Sequence, residues 1–74
     1  MSIRSESVSE RQKALVRTAL ARQPRTRREV AMATRSWYND VDKAVRQMMA
    51  DGEIEVVGRG GVWGGAEVVA LRRD

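Results

Sequence analysis

Residues 39–54, NDVDKAVRQMMADGEI, constrain the fold of this chain more than any other stretch. Their large apolar residues recur at helical spacing and form one stripe, which a helix buries against its neighbours. The stripe consists of Val41, Val45, Met48 and Met49. Gly52 then ends the helix, because glycine tolerates the left-handed conformation that closes a helix C-terminus. Ile54 and Val56 follow with period two, so the stretch predicts a helix that turns sharply into a strand.

The opposite face of this helix carries amide and cationic side chains. Successive residues of a helix are about 100° apart, which places four polar residues opposite the apolar stripe. They are Asn39, Lys43, Arg46 and Gln47. A DNA major groove accepts such a face, because arginine and lysine pair with guanine, and asparagine and glutamine pair with adenine. A merely solvated helix face has the same pattern, so the rest of the chain must decide between the two interpretations.

A length of 74 residues allows one small domain, which we place at residues 8–74 behind a polar N-terminal tail at residues 1–7. The chain is 42% apolar and 32% charged, an ordinary composition for a globular protein. It contains neither cysteine nor histidine, which excludes disulfides and argues against a structural zinc. No apolar segment resembles a signal peptide or a membrane span. We therefore expect a cytoplasmic protein without a membrane partner, nucleoid-associated if a bacterium or phage encodes it.

The positive charge is concentrated in one segment. The whole chain has a net charge of +4, and residues 22–35 alone contain five arginines against the single acid Glu29. These arginines are Arg22, Arg25, Arg27, Arg28 and Arg35. A compact basic cluster suggests a polyanionic partner. A solvated arginine-rich loop has the same composition, so the place of the cluster in the fold matters.

A first helix is predicted near the N-terminus. Ser7 is followed three residues later by Glu10, a capping-box pattern that begins a helix running to about Arg22. One side of this helix is apolar and carries Val8, Leu15, Val16, Ala19 and Leu20. Pro24 ends the helix, since proline lacks an N–H and disfavours helical backbone in the residue before it.

A second capping box, Thr26 with Glu29, begins a short helix at roughly residues 27–34. Its expected apolar face consists of Val30, Ala31 and Ala33. The third helix then begins near residues 36–39, with either end residue as its N-cap. The predicted order so far is helix, short helix, tight turn and longer helix.

A hairpin is predicted after the third helix, with strands at about residues 53–57 and 66–71. Residues 58–65 between them hold five of the six glycines and form an open linker. This glycine run lacks the lysine and the following helix of a phosphate loop. The acids are scattered along helix faces and no histidine or cysteine is present. We therefore expect no enzymatic activity, no cofactor, no metal and no small-molecule ligand.

The residues around the third helix match a recurring pattern of apolar, apolar, apolar, glycine and apolar. They are Val41, Val45, Met48, Gly52 and Ile54. Glu29, Val30 and Ala31 match the acidic, aliphatic and alanine start of a second helix. With the order of the elements, these residues resemble the winged helix-turn-helix superfamily of transcription regulators. The resemblance implies an α+β fold of three helices followed by a two-stranded β-hairpin wing.

The resemblance also implies roles for the polar residues. The residues expected to contact bases in the major groove are Asn39, Lys43, Arg46 and Gln47. The residues expected to contact the DNA backbone are Arg25, Thr26, Arg27, Arg28 and Tyr38. Arg27 and Arg28 lie in the first helical turn, where free backbone N–H groups already favour an anion. On the wing, Arg59 and Trp63 would extend the contact.

The aromatic and acidic residues qualify this interpretation. Trp37 stands where the superfamily usually has an aliphatic core residue, so we expect it in the core. Tyr38 is expected to pack partly, with its hydroxyl free for a phosphate. Trp63 either stacks on DNA at the wing tip or folds back over the hairpin. Asp40 and Asp42 count against DNA binding because carboxylates repel phosphate, although the start of a helix also favours acids.

These expectations together predict a sequence-specific double-stranded DNA-binding protein, a small transcriptional regulator of the phage or plasmid type. Two alternatives stay open. One is a winged-helix protein–protein interaction module, and the other is a non-specific architectural, excisionase-like DNA binder. A homodimer also stays open, because one module buries little DNA surface, although no long helix or heptad provides an evident interface.

Overall fold

The computed structural model describes residues 9–60 and 65–72 and shows an α+β fold. Three helices, α1, α2 and α3, are combined with a three-stranded antiparallel sheet of β1, β2 and β3. In chain order the elements are α1 (Glu10–Arg22), β1 (Arg25–Thr26), α2 (Arg27–Thr34), α3 (Tyr38–Ala50), β2 (Ile54–Gly60) and β3 (Ala66–Leu71). The predicted tail at residues 1–7 lies outside the described residues.

The N-cap of the first helix lies two residues later than predicted. Ser9 is the N-cap of α1, and its side-chain oxygen accepts a hydrogen bond from the backbone N–H of Gln12 at 3.0 Å. The prediction of Ser7 as the cap was therefore wrong, because Ser9 and Gln12 form a second serine-to-glutamine capping pattern two residues on. The helix ends at Arg22, before Pro24, as predicted.

The second helix has the predicted bounds, Arg27–Thr34, and the predicted cap. Glu29 donates its N–H to Thr26 Oγ1 at 3.1 Å, and Thr26 donates its N–H to Glu29 Oε1 at 3.0 Å. Val30 and Ala31 are buried, but Ala33 is exposed, contrary to prediction. On a helical wheel Ala33 lies on the flank of Val30 away from Ala31, so it falls outside the contact with the other helices.

The third helix starts without a side-chain cap. Trp37 occupies the N-cap position, so the predictions of residues 36 and 39 were wrong. Ser36 is already engaged, because its hydroxyl accepts hydrogen bonds from Gln12 Nε2 at 3.2 Å and Thr34 Oγ1 at 2.9 Å. Asn39 lies within the first turn instead.

The helix ends where Gly52 was predicted to end it. Gly52 has φ +83°, a left-handed conformation. Its N–H donates to Met49 O at 3.1 Å, and the N–H of Glu53 donates to Met48 O at 2.8 Å. These two bonds form the Schellman motif that satisfies the last carbonyls of a helix.

The sheet contains one strand more than predicted. Its order is β1-β3-β2, with Thr26 of β1 opposite Val68 and Ile54 of β2 opposite Leu71. At two residues, β1 is too short to show a periodic pattern in the sequence. The strand β2 continues to Gly60, past a bulge between Val56 and Gly58, so part of the predicted linker is strand. Residues 61–64 of that linker lie outside the described residues.

The core lies where the three helices meet the sheet. Its buried residues are Val16, Ala19, Leu20, Val30, Ala31, Val41, Ala44, Val45, Met48, Ile54 and Val69. The apolar stripe of α3 is confirmed, with Met49 packed at its margin. Trp37 was predicted in the core and is instead 80% exposed, because the turn that precedes α3 carries it outward. No helix in the described ranges is long and apolar enough to cross a membrane.

Candidate nucleic-acid interface

One face of α3 is open to solvent along most of its length. The four residues predicted to contact bases, Asn39, Lys43, Arg46 and Gln47, are all exposed. They lie opposite Val41, Val45 and Met48, whose side chains are fully buried. Gln47 Nε2 donates to Asp51 Oδ1 at 3.1 Å, one turn farther along the helix. The face thus presents amides and cations on a rigid element that is anchored by its other side.

Arg46 is joined to a chain of alternating charges that we call the ion network, comprising Arg46, Asp42, Arg27 and Glu67. Arg46 Nε lies 3.0 Å from Asp42 Oδ2, and Arg27 Nε lies 3.0 Å from Asp42 Oδ1. Arg27 Nη1 donates to Glu67 Oε1 at 3.0 Å. The Nε–H of Arg27 is not directed along a hydrogen bond, so its contact with Asp42 is ionic. The network connects α3, the start of α2 and β3.

Three of the five predicted DNA-backbone contacts are engaged within the protein itself. The side chain of Arg27 is only 17% exposed and is held by the ion network. Thr26 is 2% exposed and caps α2. Arg25 is partly buried, and its Nε donates to the carbonyl of Ala19 at 3.1 Å. These three residues therefore support the junction of α1, α2 and the sheet.

The other two predicted backbone contacts, Arg28 and Tyr38, share a shallow groove of about 440 Å³ between α2 and the start of α3. The groove is lined by Arg28, Ala31, Met32, Arg35, Ser36 and Tyr38. Tyr38 is half-exposed, which agrees with the expected partial packing. Its phenol shares this groove with two guanidinium groups, which together suit a phosphate.

Sequence reasoning missed three exposed residues around this groove. Met32 is 71% exposed, Trp37 is also exposed, and Arg35 follows α2 at its C-cap. A signal was present in the sequence, because Arg28 and Met32 are four residues apart on the predicted second helix and so share one helix face. We call Arg28, Met32, Arg35, Trp37 and Tyr38 the turn surface.

The hairpin carries one of the two predicted wing contacts within the described residues. Arg59 is exposed and lies opposite Glu67 in the sheet register. Its Nη1 donates to the carbonyl of Gly65 at 3.2 Å, which joins the two strands near their end. Trp63 lies outside the described residues, so both interpretations of it remain predictions.

The perturbed ionisations belong to a different surface. Arg17 of α1 and Glu53 form a two-point pair, with Nε–Oε2 at 3.1 Å and Nη2–Oε1 at 3.0 Å. These hydrogen bonds lower the pKa of Glu53 and raise the pKa of Arg17, against the opposing effect of desolvation. The pair fastens α1 to the turn between α3 and β2.

Comparison with known protein families, with characterised proteins and with solved structures finds no match to this chain. Within residues 9–60 and 65–72 no group of carboxylates has the geometry of a metal site.

Proposed function

We propose that this protein is a winged helix-turn-helix module that binds double-stranded DNA sequence-specifically, as a small transcriptional regulator of the phage or plasmid type. One observation carries the proposal. The solvated face of α3 displays two amides and two cations, and the turn surface at the start of the same helix adds two more guanidinium groups. Major-groove base edges and the neighbouring phosphates are the ligands that such a combination fits.

The order of the helices and strands supports the proposed winged helix-turn-helix fold. A short strand between α1 and α2 pairs with the last strand, and α3 leads through Gly52 into an antiparallel hairpin. This is the arrangement expected of a winged helix, with a third strand added to the predicted two. It leaves α3 free on one face while α1, α2 and the sheet cover the other.

Two acids on α3, Asp40 and Asp42, would repel DNA phosphates, but their charges are partly compensated within the protein. Asp42 lies between two arginines, so its charge is compensated within the protein. Asp40 is exposed in the first turn, where the helix dipole favours a carboxylate. The exposed residues of α3 and the turn surface also include four cations, namely Lys43, Arg46, Arg28 and Arg35.

The proposal is tested by titrating DNA binding against salt and by selecting sites from a randomised duplex pool. We expect a steep salt dependence and an enriched motif. Arg46→Ala should relax preference at one base pair by roughly 1–3 kcal/mol. Arg28→Ala should instead weaken all sequences alike and reduce the salt slope by about one. Arg72→Ala is a matched control, since Arg72 is exposed beside Gly52 at the other end of α3.

Other outcomes favour the alternatives. Salt dependence without an enriched motif would indicate an architectural binder. DNA affinity near 10⁻⁴ M whatever the sequence is the weak end of non-specific binding and would favour a protein-binding module. The exposure of Met32 and Trp37 supports that second candidate, because methionine and aromatic residues are enriched in protein interfaces. An enriched site with two-fold symmetry would indicate a homodimer.

A further inference from the structure

The ion network places an acid in direct contact with Arg46, an arginine of the exposed α3 face that is proposed to read bases. The side chain of Arg46 is 74% exposed, yet its Nε lies 3.0 Å from Asp42 Oδ2. The two residues are four apart with the acid on the N-terminal side, the favourable order for a helical ion pair. A freely solvated arginine samples many rotamers, whereas this ion pair favours the rotamers that keep the guanidinium beside Asp42.

The contact leaves the far edge of the guanidinium available. Asp42 uses Nε, and Arg46 forms no hydrogen bond or ion pair with any other side chain among the described residues. The two Nη groups together form the fork that matches O6 and N7 of a guanine. An arginine that is oriented beforehand loses less conformational entropy when it binds, so more of the interaction free energy appears as affinity for the correct base.

Asp42 also forms an ion pair with a residue of α2. Its second oxygen contacts Arg27, which is mostly buried and reaches Glu67 on β3. Three elements therefore determine where the carboxylate lies. An exposed acid placed merely for solubility would have no such anchoring, and its charge would only repel the DNA backbone.

We propose that Asp42 is a positioning residue that orients Arg46 for bidentate recognition of a guanine, at the cost of some affinity for DNA of any sequence. The inference depends on the proposed function, and it makes Arg46 the principal determinant of specificity on α3. It also explains why a carboxylate is present on a face that meets phosphates.

The test compares Asp42→Asn with Asp40→Asn. Asp40 is an exposed acid on the same helix with no ion-pair partner among the described residues. Both substitutions remove one negative charge near the DNA, so both should raise affinity for a random-sequence duplex. Only Asp42→Asn should reduce the ratio of selected-site to random affinity, by about twofold, and this loss should concentrate at one guanine of the motif. Equal ratios in the two variants would overturn the inference.

A second variant keeps the test independent of folding. Arg46→Lys retains the charge at an exposed position but cannot form the planar fork. It should lose part of the discrimination at the same guanine, because an ammonium group lacks the rigid fork of two nitrogens. Retained discrimination in Arg46→Lys would also overturn the inference. If the unsubstituted protein enriches no motif, the proposed function fails as well, whereas an enriched motif that Asp42→Asn leaves unchanged removes only the role of Asp42.

Discussion

Neighbouring arginines of the same segment have opposite environments in this protein. Arg27 is drawn into the ion network, whereas Arg28, the next residue, lines an open groove. A rotation of about 100° between successive helical residues is enough to separate them. Chemistry alone therefore does not assign a role to a residue of the basic cluster, and the two positions should respond differently to substitution.

Arg27→Ala should reduce the free energy of unfolding by about 1–2 kcal/mol, because it leaves Asp42 and Glu67 without their shared cation. This is less than the 3–5 kcal/mol expected for a fully buried pair, since both acids retain contact with water. Arg28→Ala is the matched control and should change stability by no more than about 0.5 kcal/mol. Urea denaturation measures the free energy of unfolding of both variants. Equal losses of stability in the two variants would contradict the structural role of Arg27.

The methionines provide a similar contrast. Met48 is fully buried in the core and Met32 is exposed on the turn surface. Met48→Ala should lower the free energy of unfolding by about 2–5 kcal/mol through lost burial and a residual cavity. Met32→Ala should stay within about 0.5 kcal/mol. Thermal and chemical denaturation, followed by circular dichroism, measure both, and a small loss at Met48 would show that the core collapses around the deletion.

At the scale of elements, the junction of α3 and β2 determines the architecture. The Schellman motif at Gly52 ends α3, and the strand β2 begins two residues later, at Ile54. Because the hairpin leaves α3 at this point, the position of the hairpin relative to the exposed face of α3 depends on one left-handed residue.

Gly52→Ala should destabilise the protein by about 1–2 kcal/mol, the cost of left-handed backbone for a residue with a Cβ. Steric overlap adds nothing, because the nearest atom to a Cβ there is Arg72 Nη1 at 3.8 Å. Gly58→Ala is the control, as a Cβ there meets no atom within 4 Å and its φ is not left-handed. It should change stability by no more than about 0.5 kcal/mol. A smaller cost at Gly52 than at Gly58 would argue against the conformational explanation.

At the scale of the whole molecule, ion pairs join elements that are far apart in sequence. The pair of Arg17 and Glu53 connects α1 to the start of the hairpin, and the ion network connects α2, α3 and β3. Such contacts depend on pH when the pKa of a partner changes on folding.

The folded state lowers the pKa of Glu53 below its ordinary value of 4.5, chiefly through the hydrogen bonds from Arg17. A lowered pKa stabilises the fold above the unfolded value, and this contribution is lost as pH falls from about 4.5 through the folded pKa. At pH 7 the unsubstituted protein should therefore have a higher melting temperature than Glu53→Gln. This difference in melting temperature should shrink as the pH is lowered below about 4.5. Glu55→Gln, at an exposed position outside any ion pair of the described residues, is the control. A difference that is constant with pH would contradict the assignment.

The parts of this fold that the sequence determined by itself are those with local causes. The bounds of α2, its capping box, the apolar stripe of α3 and its end at Gly52 all depend on residues within a few positions of one another. Spacing and capping chemistry describe such interactions fully. The exposure of the polar face of α3 follows from the same stripe, since the side opposite a buried face is solvated.

Tertiary structure alone decided the features that depend on distant partners. The strand β1 exists because β3 lies beside it, and two residues carry no periodic signal. Arg27 does not lie on the predicted DNA-binding surface, because it forms ion pairs with Asp42 and Glu67, which are distant from it in sequence. Trp37, at the N-cap of α3 in the connection from α2, is 80% exposed. For β1 and Arg27 the deciding free energy comes from a contact between separate elements, which exists only once the chain has folded.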